Sequence, residues 1–230
     1  MDVVYVLKRS DRNEELRFSL RSLANLPHDK VWAAGYRPRW ANLDEIPVRQ
    51  RLNKFENSAA NLRAACHDPR VSDDFAYFND DFFVLQPLEQ LPVLHRGTVR
   101  DFVAEHVRHY GRPGAYLKGL QATAELLATQ VRIRDPLCFE GHVPLIVNKA
   151  LMRRALDLGA DLPVLHYRTL YGNLARLAGE KIGDWKIRDS HSVPEPSWLF
   201  TSTVDTVFAS GAVGTWLRAR FPDPSPYERT

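Results

Sequence analysis

The run Phe75-Ala76-Tyr77-Phe78-Asn79-Asp80-Asp81-Phe82-Phe83-Val84-Leu85 decides how this chain is read. Apolar and aromatic residues fill both flanks, and an amide and two carboxylates sit at the centre. The pattern predicts a buried strand that stops, presents Asn-Asp-Asp and resumes. Adjacent acids are too costly to bury bare, so they must be solvated, hydrogen-bonded or bound to a cation. Asn-Asp is also ordinary turn or bulge chemistry. Four flanking aromatics and the absence of glycine and proline argue against a plain turn. A hard divalent ion, Mg2+ or Mn2+, with phosphate on its far side meets the requirement. Asp80 and Asp81 are therefore candidate metal ligands, and Asn79 a neighbour able to orient a carboxylate or contact hydroxyls.

Upstream, Val3 to Leu7 reads as a buried first strand, and Lys8 to Asn13 as a polar turn. From Glu14 the apolar period becomes helical through Leu16, Leu20 and Leu23. Asp11 or Asn13 can cap that helix, and Glu14 and Glu15 suit its positive end. Lys30 to Ala34 reads as a second strand and Ile46 to Val48 as a short extended piece. Ser58 to Cys66 reads as an alanine-rich helix capped by Asn57 or Ser58. Strand, helix, strand, helix, strand in this order predicts an α/β fold with a mostly parallel sheet flanked by helices. Such sheets bind ligands beyond the carboxyl ends of their strands, where both Lys8 to Asp11 and Asp80-Asp81 lie. Lys8, Arg9 and Ser10 are thus candidates to line a nucleotide pocket. They carry no glycine, which excludes a dinucleotide-binding GxGxxG or a Walker loop.

The second half is more helical, with helices expected over Thr98 to His109, Leu117 to Thr129, Asn148 to Leu158, Tyr167 to Ala178 and Val213 to Arg220. A proline-rich strap, Phe221 to Glu228, follows. His142 lies between Gly141 and Pro144 on a shaped loop, where it can act as acid or base, bind metal or donate to phosphate, or simply sit satisfied at the surface. Arg168 offers a guanidinium fork suited to a diphosphate, or is a helix-surface arginine. Asp205 is a second candidate base.

Hydrophobic content of 44% and charged content of 26% fit a soluble globular protein. A net charge of +3 is mildly basic and compatible with an anionic substrate. Arg37-Pro38-Arg39 and Arg49-Gln50-Arg51 can meet phosphate or stay solvated. The two cysteines, Cys66 and Cys138, have no zinc-binding spacing and read as buried free thiols. No signal-like opening and no apolar run of membrane-spanning length is visible, so a cytoplasmic protein without a membrane span is expected. GxSxG, HExxH and kinase motifs are absent.

With these segments placed, the chain resembles the Stealth family of sugar-phosphate transferases, which have a glycosyltransferase-A-like α/β core. Asp2-Val3-Val4-Tyr5-Val6 with Asp11 is similar to its first block, and Glu14 to Ser22 to the arginine-serine helix that follows. Asn57-Ser58 with Tyr77 to Phe83 is similar to the second block, and His142-Val143-Pro144 to the His-x-Pro of the third. Phe221 to Glu228 is similar to the closing segment. The resemblance implies a metal and donor diphosphate on Asp80 and Asp81, and catalytic or phosphate-binding roles for His142 and Arg168. One position departs: Leu62 stands where the family carries an active-site glutamate, with Asn61 beside it.

The expectation is therefore a glycosyltransferase-A-like enzyme using a UDP- or GDP-linked sugar with Mn2+ or Mg2+. Its catalytic residues would be Asp81, His142 and Arg168. Donor contacts would come from Lys8, Arg9, Ser10, Asp11, Asn57, Asn61, Asn79 and Asp80. Residues 1–97 would form the nucleotide- and metal-binding half and residues 98–230 the helical acceptor-side half of one continuous domain. The acceptor would be a glycan hydroxyl or a modified base in DNA, the latter suggested by the basic balance and by Trp40, Tyr110 and Trp185. Sugar-1-phosphate transfer and a non-catalytic nucleotide-sugar or glycan-binding module are the alternatives.

Overall fold

β1 (Asp2–Leu7) is buried along its whole length, as a strand covered on both faces must be. In the computed structural model, which describes residues 1–51 and 53–229, it is the centre of the main sheet. α1 (Glu14–Ser22) follows, capped by Asn13, whose side chain accepts from the Leu16 amide at 3.1 Å. β2 (Val31–Gly35) pairs parallel with β1, and β3 (Asp44–Pro47) pairs parallel with β2. α2 (Lys54–His67) then crosses back, and β4 (Asp74–Phe78) pairs parallel with the opposite edge of β1. The chain thus reverses direction across the sheet at β1. That reversal leaves a crevice at the carboxyl ends of β1 and β4, where α/β sheets take their ligands.

After β4 the strand does stop and resume, but in another sheet. β5 (Phe82–Val84) leaves the main sheet behind, followed by β6 (Leu94–His95), α3 (Val99–Tyr110) and α4 (Ala115–Leu126). β7 (Leu145–Asn148) returns antiparallel beside β4 and completes the order β3-β2-β1-β4-β7. α5 (Lys149–Leu158), α6 (Tyr167–Leu174), β8 (Glu180–Lys181) and β9 (Lys186–Ile187) come next. β10 (Phe200–Thr203), α7 (Asp205–Ser210) and α8 (Ala212–Arg220) close the chain. β5, β10 and β9 make a small second sheet. It is fastened to α1 by Ser19 Oγ on the Phe82 carbonyl and by the Val84 amide on Ser22 Oγ at 3.0 Å.

The architecture is the expected α/β fold with a mainly parallel central sheet flanked by helices. The main core packs both faces of that sheet, and a second cluster of Phe18, Phe83, Phe208 and Leu217 lies under the small sheet. Cys66 and Cys138 are buried free thiols, and burial pushes both up to about 12. Among the described residues no helix is long and apolar enough to cross a membrane.

Three helix limits differ from the expected ones by three residues or more. α2 begins at Lys54, not near Ser58, because Asn53 takes the cap by accepting from the Phe55 amide at 2.9 Å. Asn57 lies inside the helix, and its side chain accepts from the Arg51 amide at 3.0 Å. α4 ends at Leu126 and passes into a π-helical turn, Leu127–Val131, stopped by Arg132 at φ 63°. α6 ends at Leu174 in place of Ala178, since Arg176 adopts φ 52°.

Close approach at the crevice requires a glycine at position 35. Gly35 ends β2 at φ 113°, and a Cβ there would lie 2.3 Å from both Asn61 Nδ2 and the Leu7 carbonyl oxygen. Its absence lets Asn61 of α2 donate to Leu7 O at 2.9 Å, locking the helix over the carboxyl end of β1.

Candidate active site

The turn after β4 sends three side chains to three different partners. Asn79 Oδ1 accepts from the Tyr77 hydroxyl at 2.5 Å. Tyr77 in turn meets Tyr167 OH at 3.0 Å, and Tyr167 meets Ser58 Oγ at 2.7 Å. Asp80 Oδ2 accepts from Asn13 Nδ2 at 2.7 Å, so the residue that caps α1 also holds the first acid. Asp81 Oδ2 accepts from Lys186 Nζ at 2.7 Å and Ser202 Oγ at 2.6 Å.

Two cavities flank this turn. The first, of about 420 Å³, is lined by Lys8, Arg9, Asn57, Asn61, Asn79 and Asp80 together with Gln50 and Arg51. Gln50 Oε1 joins its walls by accepting from the Arg9 amide at 2.9 Å and from Asn57 Nδ2 at 3.2 Å. The second, of about 260 Å³, is lined by Asp81, His142, Arg168, Lys186 and Glu140 among others. Asn79, Ser58 and Lys54 border both and form the partition. The residues expected at the site thus separate into two groups, with one acid in each.

Two expected donor contacts lie elsewhere. Ser10 lines neither cavity, and Asp11 is turned toward the loop after β2, where Tyr36 OH donates to its carboxylate and Trp40 Nε1 to its carbonyl at 3.1 Å. Asp205, the second candidate base, is exposed at the start of α7 and pairs with Lys8 at 3.4 Å. Trp40 is covered by the Arg17 guanidinium at 4.3 Å and Trp185 stacks on Trp198 at 6.1 Å, so neither presents a free ring to a cavity. The side chain of Tyr110 lies outside the described residues. Of the arginine clusters, Arg51 borders the first cavity, whereas Arg37 faces Glu45 at 3.5 Å.

The electrostatics around the turn are strongly perturbed. Burial, then the charge of Asp81, push Asp80 up to about 6. Burial, followed by Asp81, Asp80 and Asp205, pushes Glu15 up to about 8 against a hydrogen bond from Thr203 Oγ1 at 2.5 Å. Burial would lower Lys8, but Asp205 and Asp80 outweigh it and hold the amine above its ordinary value. In the second cavity His142 Nδ1 lies 3.1 Å from Asp184 Oδ1. Burial would raise Asp184, but His142, Arg188 and Arg96 hold it well below the usual carboxylate range.

Among the described residues no three His, Cys, Asp or Glu side chains are grouped to cage a metal ion. A magnesium or manganese ion shared with substrate phosphates needs only one or two protein carboxylates, so the acid pair is tested against that standard. Among the described residues each acid uses only its Oδ2 in protein hydrogen bonds, and the crowding that raises Asp80 is what a cation would relieve. The donor set therefore fits, with Asp80 the freer ligand and Asp81 already partly neutralised by Lys186.

Lys186, Asp184, Ser202, Glu15 and Asn13 were not singled out for the site from the sequence. Their signal is weak: Lys186 and Asp184 sit in an irregular tail segment, and Glu15 and Asn13 are fully explained by helix capping and the helix dipole.

No family model matches the chain, and no curated protein matches it. Solved structures with a similar course include the galactosyltransferase LgtC in complex with donor and acceptor sugar analogues, at 14% identity over 82% of this chain and 76% of that one, with a TM-score of 0.45. An active-site mutant of LgtC matches at 16% identity over 99% and 85%, TM-score 0.45. The bifunctional glycosyltransferase WbbM in its apo form matches at 10% identity over 97% of this chain and 44% of that one, TM-score 0.43. At such identities the likeness says nothing of substrate or mechanism.

Proposed function

We propose that this protein is a glycosyltransferase that takes a UDP- or GDP-linked sugar in the first cavity and an acceptor hydroxyl in the second. The observation that carries the reading is the acid pair at the sheet's switch point, with one carboxylate facing each of two adjoining cavities. Lys8 and Arg9 supply positive charge for the donor diphosphate, and Asn57, Asn61 and Asn79 supply amides for its hydroxyls. Asp80, with Asp81, would hold Mg2+ or Mn2+, which when bound neutralises the leaving diphosphate.

In the transfer, the acceptor oxygen forms a bond to the anomeric carbon as the bond from that carbon to the diphosphate oxygen breaks. The diphosphate leaves with the electron pair, and the hydroxyl proton goes to a base. His142 is suited to receive it: Asp184 engages Nδ1, which leaves Nε2 as the ring atom available to a hydroxyl. Holding the two substrates on either side of one turn supplies most of the advantage through orientation. Sugar transfer is preferred over sugar-1-phosphate transfer because position 62 is a fully buried leucine, and the side chain of α2 that lines the cavity beside it is the neutral Asn61.

Incubation with a panel of UDP- and GDP-sugars and Mn2+ is expected to release free nucleotide slowly. Asp80→Ala is expected to lower that release by on the order of 100-fold. Donor binding with no turnover, even with candidate acceptors present, would assign the protein to the non-catalytic class. No donor binding at all would remove both readings. Asp184→Asn is expected to lower kcat by on the order of 10- to 100-fold with the donor KM nearly unchanged, since Asp184 orients the base and lines no part of the donor cavity. A pH–rate profile identical to wild type would count against His142 as that base.

A further inference from the structure

We infer that the second cavity receives an acceptor bearing an anionic group, a phosphate or a carboxylate, close to the hydroxyl that reacts. This rests on the donor occupying the first cavity, as proposed above. The key residue is Arg168, only 6% exposed. Its Nε donates to the Phe139 carbonyl at 2.9 Å and one Nη to the Val143 carbonyl at 2.7 Å. Its other Nη is buried without any hydrogen-bond partner, and no carboxylate lies within ion-pair distance of it among the described residues. The guanidinium otherwise faces the rings of Tyr77 and Phe82 at 5.3 and 5.8 Å. Burying a guanidinium donor with no acceptor and no ion-pair partner is unfavourable, and an anionic substrate group would offset that cost.

The acids of the cavity do not supply that anion. Asp81 is matched by Lys186 at 2.7 Å. Glu140 accepts from the Thr169 amide at 3.1 Å and its hydroxyl at 3.0 Å, and faces His166 at 3.5 Å. Burial would raise Glu140, but His166, Arg168 and Thr169 outweigh it and hold it below its ordinary value. His142 has its own acid in Asp184, which is further held by Arg188 at 2.7 Å and Arg96 at 3.4 Å. Lys54 on the partition pairs with no acid among the described residues. Arg168, whose charge reaches Glu140 only beyond ion-pair distance, and Lys54 are left without an ion-pair partner among the described residues.

The donor diphosphate is a poor candidate for this counterion, since Lys8, Arg9 and a cation on Asp80 would hold it on the other side of the turn. A neutral glycan could accept a hydrogen bond from the free Nη but would bring no charge to pair with it, and charge-assisted bonds are the stronger ones. The cavity, at about 260 Å³, suits one sugar ring with its substituent rather than a longer chain. Tyr116, 37% exposed and edge-on to His166 at 4.6 Å, offers an apolar face beside the ring.

The test uses the whole chain saturated with UDP and Mn2+, titrated by calorimetry with inorganic phosphate, glucose 6-phosphate, glucuronate and glucose. Phosphate is expected to bind once per chain, and both anionic sugars at least tenfold more tightly than glucose. The tighter of the two distinguishes a phosphate-bearing from a carboxylate-bearing acceptor. Arg168→Gln is expected to weaken phosphate binding at least tenfold. Should that variant fail to fold, the exposed Lys54→Gln is expected to weaken it about threefold. Phosphate binding seen on the UDP-free chain but lost once UDP saturates it would assign the cations to the donor and overturn the proposal while leaving the donor reading intact. Equal binding of glucose and its anionic relatives, or unchanged phosphate affinity in a folded variant, would also overturn it. Failure of UDP to bind would remove the donor reading and, with it, the acceptor assignment.

Discussion

Asp81→Asn is expected to lower donor turnover sharply and to destabilise the fold, and adding Lys186→Met is expected to restore the stability alone. Asp81 and Lys186 have side chains only 12% and 15% exposed and lie 2.7 Å apart. Asparagine keeps the shape and can still accept from Ser202, but it leaves the ammonium without its counterion. The expected cost is about 2–3 kcal/mol, since breaking a buried pair from one side strands the other charge. Replacing both partners with groups that need no charge matching removes that penalty, so the double variant should return to within about 1 kcal/mol of the parent. Turnover follows different physics. The carboxylate would help to hold the cation that neutralises the leaving diphosphate, and loss of such a group costs on the order of 100- to 1000-fold. Urea unfolding and nucleotide release, measured on the same three proteins, separate the two roles. Turnover that recovers in the double variant would show that Asp81 matters for the fold and not for the donor.

Glu228→Gln is expected to loosen the carboxyl-terminal strap and to flatten the acid limb of the stability curve. Glu228 accepts from Arg17 at 2.6 Å, from Arg21 through Nε at 2.8 Å and Nη2 at 3.0 Å, and from the Ser225 amide at 2.9 Å. Its side chain is 5% exposed and that of Arg21 12%. The strap then reaches the loop beyond β2, where the Asn42 amide donates to Tyr227 O and the Arg229 amide to Trp40 O, each at 2.8 Å. Hydrogen bonds to a charged group are worth about 1.5–3 kcal/mol, so loss of the charge from this double arginine clamp should cost about 2 kcal/mol near neutrality. Burial would raise the carboxyl, but Arg21, Ser225 and Arg17 outweigh it and lower it from 4.5 to about 2. A depressed acid stabilises the folded state above its unfolded value. The contribution is therefore complete above pH 4.5 and is lost as the pH falls toward 2. Urea midpoints between pH 7 and pH 3 should fall less steeply for the variant than for the parent. Parallel acid limbs would exclude Glu228 as a source of the acid sensitivity.

Much of the frame was legible before any tertiary information. Val3 to Leu7, the helix from Glu14 and the interrupted strand around Asn79-Asp80-Asp81 stand out because strand burial, capping and turn chemistry act over a few neighbouring residues. The parallel order of the first strands followed from their alternation with helices, and with it the meeting of Lys8 and Asp80 at one crevice. The start of α2 was misplaced because Asn57-Ser58 looks like a cap, and only the backbone geometry at Asn53 shows which asparagine takes that role. The antiparallel β7 was equally hidden, since a four-residue strand carries little periodicity.

By itself the sequence determined that two acids would be presented between aromatic strand ends, because local apolar pattern leaves them nowhere else to go. Only the tertiary structure decided what faces each of them. Lys186 lies 105 residues from Asp81, Ser202 lies 121 residues away, and Asp184 lies 42 residues from His142. The same folding left Arg168 buried against carbonyls with one donor unmet. Charge pairing is a property of distance in space, and no local rule of spacing along a chain reports which cation will reach which acid.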